Sequence, residues 1–243
     1  MLSVHSFESM GTFDGPGLRL VVFLQGCNFR CSYCANPDTI TLRGGGMVST
    51  EEILRRARSE KGFFGKRGGV TFSGGEPLLQ ADALIEVVGA LKEEGIHTVI
   101  DTNGSVLNDS AKEVLKMTDM VLLDVKAVHP EKHRVITERH NERVKDFADY
   151  LEEQGIPMRL RCVMIPGQND TAEDIRLIGE RYAGYANLDR VEVLPYHTFG
   201  VHKYKELGLP YKLEGVEEHT REEVERLAVE FEKYFTKVWV QGR

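Results

Sequence analysis

Short apolar runs alternate with amphipathic stretches along nearly the whole chain, and this alternation constrains the fold more than any other feature. Such a pattern is typical of βα units around a parallel sheet. The predicted strands are 18–24, 69–72, 98–101, 120–124, 158–165 and 190–194, and the predicted helices are 50–60, 80–94, 109–117, 130–153, 171–182 and 221–235. We therefore expect an α/β fold with about six βα units in a complete or partial barrel, with a doubly wound open sheet as the alternative.

The composition is that of an ordinary globular protein, with 41% hydrophobic and 28% charged residues among 243. The net charge of -7 argues against nucleic acid or an anionic membrane as the main partner. No apolar run is long enough to span a bilayer, and the first residues show no signal-peptide pattern, so we expect a cytoplasmic protein. Gly95 and Gly155 lie just past predicted helices, where C-terminal caps are expected.

Three of the four cysteines, Cys27, Cys31 and Cys34, form a CxxxCxxC motif. Iron–sulfur clusters usually take four thiolates, so a 4Fe–4S cluster on three would leave one iron free to bind a small molecule. A structural zinc ion needs four ligands, and a zinc site here would require a distant His. The fourth cysteine, Cys162, lies in a predicted strand and is interpreted as a small buried hydrophobe.

Distinctive motifs follow the predicted strands. They are the cysteine loop, Ser73-Gly74-Gly75-Glu76-Pro77, Asp101-Thr102-Asn103-Gly104, Asp124-Val125-Lys126, Pro166-Gly167 and Pro195-Tyr196-His197. Because the carboxyl ends of parallel strands lie on one face of such a fold, we expect these motifs to form a single site.

Together these motifs resemble the radical S-adenosylmethionine (SAM) superfamily and, within it, the activators of glycyl radical enzymes. The runs 5–9, 14–19 and 200–203 extend the resemblance over nearly the whole chain. It implies a partial (β/α)6 TIM-like barrel, a 4Fe–4S cluster on the three clustered cysteines, SAM as the second cofactor, and a protein substrate. It also implies one radical SAM domain over 1–243, with a cluster loop at 26–40, a core barrel at about 15–200 and a C-terminal helix at about 219–236.

The resemblance also implies a reaction. Flavodoxin or ferredoxin would reduce the cluster, SAM would be cleaved to methionine and a 5′-deoxyadenosyl radical, and this radical would remove an α-hydrogen from a glycine of a partner enzyme. The chain lacks the cysteine-rich insertion of several other activators, which favours pyruvate formate-lyase (formate C-acetyltransferase) as partner. The alternatives are a radical SAM enzyme acting on another glycyl radical enzyme or a small molecule, and a zinc-stabilised βα binding protein without catalytic activity.

The same resemblance assigns residues to SAM. Glu76 is expected near the ammonium of SAM, Lys126 near its carboxylate, and His197 near the ribose or adenine. Ala35 stands where many relatives have His, so that imidazole contact is absent. The full expected set is Tyr33, Cys34, Ala35, Gly74, Gly75, Glu76, Asp124, Val125, Lys126, Arg161, Val163 and His197. Taken alone, the GGE run is an ordinary turn, and Asp124 with Lys126 is an internal salt bridge.

A monovalent cation site is expected from close relatives, with Asp101, Thr102, the Leu122 carbonyl and Asp124 as its ligands. Two carboxylates on neighbouring strand ends repel each other unless one is protonated or a cation bridges them. The alternative is that Asp101 caps the turn that follows it. The turn at 14–17 and the segment 202–204 are candidate contacts for the partner, whereas the sequence assigns no role to Gly44–Gly46.

Overall fold

The structure, a computed structural model, describes residues 1–242, and the chain divides into two compact units. The first unit contains residues 1–28 and 39–122, and the second contains residues 29–38 and the described residues from 123 onward. The chain therefore passes from one unit to the other within the cysteine loop. That residues 1–243 behave as one domain stays a prediction.

Nine strands and eight α-helices are described within residues 1–242. The strands are β1 (Leu2–Gly11), β2 (Arg19–Leu24), β3 (Gly46–Val48), β4 (Gly69–Gly74), β5 (His97–Thr102), β6 (Met120–Asp124), β7 (Met158–Met164), β8 (Leu188–Pro195) and β9 (Val238–Val240). The helices are α1 (Thr50–Phe64), α2 (Ala81–Glu93), α3 (Asp109–Met117), α4 (Pro130–Thr137), α5 (Glu142–Glu153), α6 (Ala172–Tyr182), α7 (Val201–Glu206) and α8 (Arg221–Glu232).

The first unit contains the strand order β3-β1-β2-β4-β5. β1 is antiparallel to β2 and β3, whereas β2, β4 and β5 are parallel to one another. Leu24 pairs with Gly74, so β2 and β4 end at the same level. Leu20, Val21 and Val22 of β2 are fully buried, as expected for a parallel strand covered on both faces. The segments that follow β2 and β4 consequently leave from the same edge of the sheet.

The second unit contains the parallel order β7-β8-β9, in which Met164 pairs with Pro195. β6 begins in the first unit and ends in the second. Within residues 1–242 the order of the parallel strands follows the chain, without the reversal that defines a doubly wound sheet. The order ends at β3 and at β9 and does not close, which confirms the prediction of a partial barrel.

All six predicted strands are present, but the single helix predicted at 130–153 is wrong. The chain forms α4 and α5 instead, and Glu138 between them has a φ of +59°. The carbonyls of Ile136 and Thr137 accept hydrogen bonds from the amides of Ser32 and Arg30 in the cysteine loop, at 2.8 and 3.0 Å. A continuous helix would use these carbonyls for its own hydrogen bonds, so the break makes them available to the loop.

Local signals define the ends of several helices. Ser49, Asn108, Thr171 and Thr220 cap the N-termini of α1, α3, α6 and α8 with their side chains. Gly95 and Gly155 have positive φ after α2 and α5, which confirms their predicted capping role. The segment Gly44–Gly46 leads into β3, which the sequence did not predict. No helix among residues 1–242 is both long enough and apolar enough to cross a membrane.

Candidate active site

Cys27 follows the end of β2 and is positioned through its own backbone. Its amide donates to the carbonyl of Ile40 at 3.1 Å. The side-chain nitrogen of Asn103, just after β5, lies 3.9 Å from the Cys27 sulfur and donates to the Asn28 side chain at 3.1 Å. A donor beside a sulfur favours the thiolate form, which is the form that binds metal. The sequence analysis gave Asn103 no role; its only signal was its place in a motif that follows a strand.

The glycines of the GGE motif have a packing function within the first unit. A Cβ atom at Gly74 would lie 2.5 Å from the Leu24 amide nitrogen, and a Cβ atom at Gly75 would lie 2.0 Å from the Gly26 carbonyl oxygen. Gly74 also has a φ of +104°, which other residues rarely adopt. Both glycines therefore allow β4 and the chain after β2 to pass in direct backbone contact.

Glu76 is completely buried, and its carboxylate is bound by groups of its own unit. It accepts hydrogen bonds from the Thr102 hydroxyl at 2.7 Å, the Asn103 amide at 2.8 Å and the Leu78 amide at 3.0 Å. Burial raises the pKa of Glu76 to about 7, although these three donors oppose the rise. Glu76 thus links the chain after β4 to the end of β5.

The residues expected to bind a cation also have partners in the protein. Ser73 donates to the Asp101 carboxylate at 2.7 Å, and the Thr102 hydroxyl accepts from the Gly104 amide at 3.1 Å while donating to Glu76. The four expected cation ligands divide between the units, with Asp101, Thr102 and Leu122 in the first and Asp124 in the second. The cation site stays a prediction.

Cys31 and Cys34 belong to the second unit, where the Cys34 amide donates to the Cys31 carbonyl at 3.2 Å. Burial raises the pKa of the Cys31 thiol to about 12, although the nearby Lys126 opposes this. A bound metal reverses that preference, because a coordinating thiol loses its proton. Cys27, Cys31 and Cys34 are partly exposed and are not joined in disulfides.

Three thiols outside disulfides, close together in the sequence, suit a cluster. Within residues 1–242, no three His, Cys, Asp or Glu side chains are gathered as ligands of one metal ion. A cubane cluster does not require that arrangement, because each cysteine binds a different iron. The assignment of a cluster to the three cysteines rests on their spacing and stays a prediction.

Lys126 and Asp124 form a nearly buried salt bridge at the end of β6. Their nitrogen and oxygen atoms are 2.6 Å apart, and the side chains are 8% and 23% exposed. Burial alone would lower the pKa of Lys126, but the Asp124 carboxylate together with the nearby Tyr33 and Cys31 raises this pKa well above its usual value. The Lys126 nitrogen lies 5.2 Å from the centre of the Tyr33 ring. The internal salt bridge considered for this pair is therefore present. Val125, which lies between Asp124 and Lys126, donates its amide to the Arg161 carbonyl at 2.9 Å.

Arg161 lies opposite Glu192 in the β7–β8 pair, with 3.8 Å between their charged groups. Glu192 is only 2% exposed and also binds Arg159 at 3.1 Å and Arg190 at 2.6 Å. Glu192 was not predicted as a site residue, because its contacts depend on the neighbouring strand. Arg161 thus has an acidic neighbour on the adjacent strand.

The remaining expected SAM contacts also lie in the second unit. Tyr33 and Val163 pack against one apolar cluster, formed by Ala127, Ile136, Ile165, Tyr196 and Leu213. The His197 ring stacks on Phe199 with 4.6 Å between ring centres, and burial lowers the pKa of His197. His197 and Phe199 line a cavity of about 440 Å³.

The two segments expected to contact a partner differ in their surroundings. Buried Arg19 binds the turn at 14–17 by donating a hydrogen bond to the Pro16 carbonyl at 2.9 Å. In the second segment, His202 is exposed. Lys203 and Tyr204 bind residues of the cysteine loop. Contact of either segment with a partner stays a prediction.

Comparison with known proteins places these features in a family. A model of the radical SAM superfamily matches residues 21–178. The chain is 44% identical over 236 residues to the pyruvate formate-lyase-activating enzyme of Clostridium pasteurianum, covering 97% of each chain. The chain belongs to the radical SAM superfamily. It is also 40% identical over 238 residues to the pyruvate formate-lyase 1-activating enzyme of Escherichia coli strain K12, again covering 97% of each.

Two solved structures share its fold. A domain of a pyruvate-formate lyase-activating enzyme from Bacteroides vulgatus matches with a TM-score of 0.60 and 24% identity, covering 72% of this chain and 99% of that one. Streptococcus suis SuiB bound to its precursor peptide SuiA matches with a TM-score of 0.73 and 20% identity, covering 93% and 49%. At these identities the likeness shows the fold alone. Membership of the superfamily implies a 4Fe–4S cluster and SAM as cofactors.

Proposed function

We propose that this chain is a [formate-C-acetyltransferase]-activating enzyme, which uses a 4Fe–4S cluster and SAM to form a glycyl radical on pyruvate formate-lyase. The observation that carries this proposal is the 44% identity, over 97% of both chains, to an enzyme with that name. The three cysteines in CxxxCxxC spacing support it, because they match the thiolate set that the proposed reaction requires.

Cys27, Cys31 and Cys34 would hold the cluster, and the fourth iron would be left for SAM. When bound, these cofactors supply the reductive cleavage of SAM and the radical that removes the glycine α-hydrogen. The protein itself would position the cysteine ligands and supply charged groups around the cofactors. The Asn103 amide beside the Cys27 sulfur favours a thiolate at the first ligand. The carbonyls at the end of α4 hold the loop on which the second and third ligands lie.

Charged residues at the strand ends would bind the carboxylate and ammonium groups of the methionine part of SAM. Lys126 keeps its charge because Asp124 is bound to it, so it offers a permanent cation to a carboxylate. Glu76 offers a carboxylate to the ammonium once it is ionised. Tyr33 and Val163, with His197, would provide the apolar and aromatic surroundings of the nucleoside. The remaining proposed SAM contacts are Cys34, Ala35, Gly74, Gly75, Val125 and Arg161.

The proposed partner is the glycine loop of pyruvate formate-lyase, and the proposed electron donor is flavodoxin or ferredoxin. Removal of a hydrogen atom from glycine needs no general acid or base, which agrees with a site assembled from cysteines and cofactor contacts. The cytoplasm is the proposed location, because its reducing conditions keep thiols free of disulfides.

We further propose that a monovalent cation binds to this protein, with Asp101, Thr102, the Leu122 carbonyl and Asp124 as its ligands. Two carboxylates in this set would repel each other less with a cation present. Replacing sodium and potassium by a large organic cation should therefore weaken SAM binding, measured by equilibrium dialysis. Unchanged SAM affinity would refute the cation site.

The decisive experiment is anaerobic reconstitution with iron and sulfide, followed by electron paramagnetic resonance (EPR) after addition of reductant, SAM and pyruvate formate-lyase. A glycine-centred radical doublet on the partner is the expected result. Cys31→Ser should abolish both the cluster and the doublet, whereas the control Cys162→Ala should retain both. A colourless protein that retains zinc would refute the proposal, as would turnover of a metabolite without any radical on the partner.

A further inference from the structure

We propose that Gly200 and helix α7 position the cysteine loop from its C-terminal side, with Lys203 and Tyr204 as positioning residues for the cluster. This inference rests on the proposed function. It concerns three contacts between residues 200–204 and residues 34–38, all within the second unit.

The first contact is between backbones. A Cβ atom at Gly200 would lie 2.6 Å from both the Cα and the carbonyl oxygen of Ala35, the residue directly after Cys34. The φ of Gly200 is −85°, which any residue adopts. Glycine is therefore required here by the close approach to the cysteine loop and not by its own backbone conformation.

The second contact is a hydrogen bond to a cysteine itself. The Tyr204 hydroxyl donates to the carbonyl of Cys34 at 3.1 Å, and Tyr204 is only 8% exposed. Its ring packs edge-on against Tyr211, with 4.9 Å between centres, and the Tyr211 hydroxyl bonds that of Tyr196 at 2.7 Å. Tyr196 follows β8 and donates its amide to the Met164 carbonyl of β7 at 2.9 Å. A rigid strand end therefore supports the hydroxyl that holds Cys34.

The third contact is ionic. The Lys203 nitrogen lies 3.1 Å from the Asn36 side-chain oxygen and 3.1 Å from the Asp38 carboxylate. Lys203 and Asp38 are each about one-quarter exposed, so solvent screens this pair only in part. Consecutive residues of α7 thus bind the loop at Cys34 and at the residues that follow it.

These contacts complete the support of the loop. The end of α4 binds the amides of Arg30 and Ser32, on either side of Cys31, whereas α7 binds the chain from Cys34 onward. A cluster that bridges several cysteines requires their backbones at fixed separations, and groups behind the ligands strengthen metal binding by restricting ligand motion. Without α7, the third cysteine would lose the support on its C-terminal side.

The test uses the reconstituted holoenzyme under anaerobic conditions. Tyr204→Phe keeps the ring but removes the hydrogen bond, and Lys203→Met keeps much of the stem but removes the charge. Each variant should lose its cluster to an iron chelator about five-fold faster than wild type, as expected for one lost hydrogen bond. The midpoint potential and EPR spectrum of the reduced cluster should also change in Tyr204→Phe. The matched controls are Lys205→Met, exposed on the same helix, and Tyr234→Phe.

The outcomes separate this inference from the proposed function. Wild type that binds no cluster would refute the proposed function and this inference with it. If wild type binds a cluster but both variants match their controls in chelation rate, potential and spectrum, only the role of α7 is refuted. Gly200→Ala should increase cluster loss further, with Gly184→Ala as its control because nothing lies within 4 Å of that added Cβ. If Gly200→Ala fails to fold, the other two variants still decide the question.

Discussion

The buried carboxylate of Glu76 should make stability and SAM binding respond to pH in opposite directions. Its pKa rises from 4.5 to about 7, mainly because it is fully buried. The folded state therefore binds this proton more tightly than the unfolded state does. The resulting stabilisation is complete below about pH 4.5, decreases as the pH rises, and is lost above about pH 7.

The expected size of this change in stability follows from the pKa values of Glu76 in the unfolded and folded states, 4.5 and about 7. Between pH 5 and pH 8, the contribution of Glu76 to the free energy of unfolding should fall by about 2 to 3 kcal/mol. Glu76→Gln cannot titrate, so the stability of wild type relative to this variant should fall by that amount over the same range. The control Glu86→Gln, exposed on α2, should differ from wild type equally at both pH values.

The assay is urea unfolding of the reconstituted proteins under anaerobic conditions, followed by circular dichroism at pH 5, 6, 7 and 8. SAM affinity, measured in parallel, should increase over the same range, because the proposed contact with the SAM ammonium requires ionised Glu76. A constant difference between wild type and Glu76→Gln would refute the assigned pKa. A SAM affinity that does not change with pH would refute the contact.

Two further predictions concern packing around the site. Gly75→Ala places a Cβ atom 2.0 Å from the Gly26 carbonyl, so it should lower the free energy of unfolding by at least about 2 kcal/mol. Gly184→Ala should change it by less than about 0.5 kcal/mol; equal effects in thermal unfolding would contradict the packing role. Arg19→Met should cost about 3 kcal/mol, because buried acceptors including the Val70 carbonyl lose their donor. A loss below about 1 kcal/mol in urea unfolding would show that these acceptors find other donors.

Much of the fold could be predicted because its signals are local. The six predicted strands are apolar runs of strand length, and Gly95 and Gly155 end their helices by their own backbone conformation. The spacing of three cysteines is equally local, since it places their thiols on one loop whatever surrounds it. The family resemblance added the cofactors and the reaction, which no local pattern contains.

The errors have a common cause in long-range contacts. The helix predicted at 130–153 breaks because carbonyls near its middle bind the cysteine loop, about a hundred residues earlier in the chain. The strands β1, β3 and β9 were also not predicted. β3 and β9 are only three residues long, too short for a periodic pattern, and pairing with a neighbouring strand defines them.

By itself the sequence determined the βα order, the cysteine loop and the set of residues near the strand ends, because periodicity and spacing act over a few residues. Only the tertiary structure decided which of those residues form hydrogen bonds or ion pairs with one another. In the folded chain Glu76 binds the end of β5, Lys126 pairs with Asp124, and Lys203 and Tyr204 bind the cysteine loop. Hydrogen bonds and charges act over a few ångströms in space, and the fold determines which distant residues come within that range.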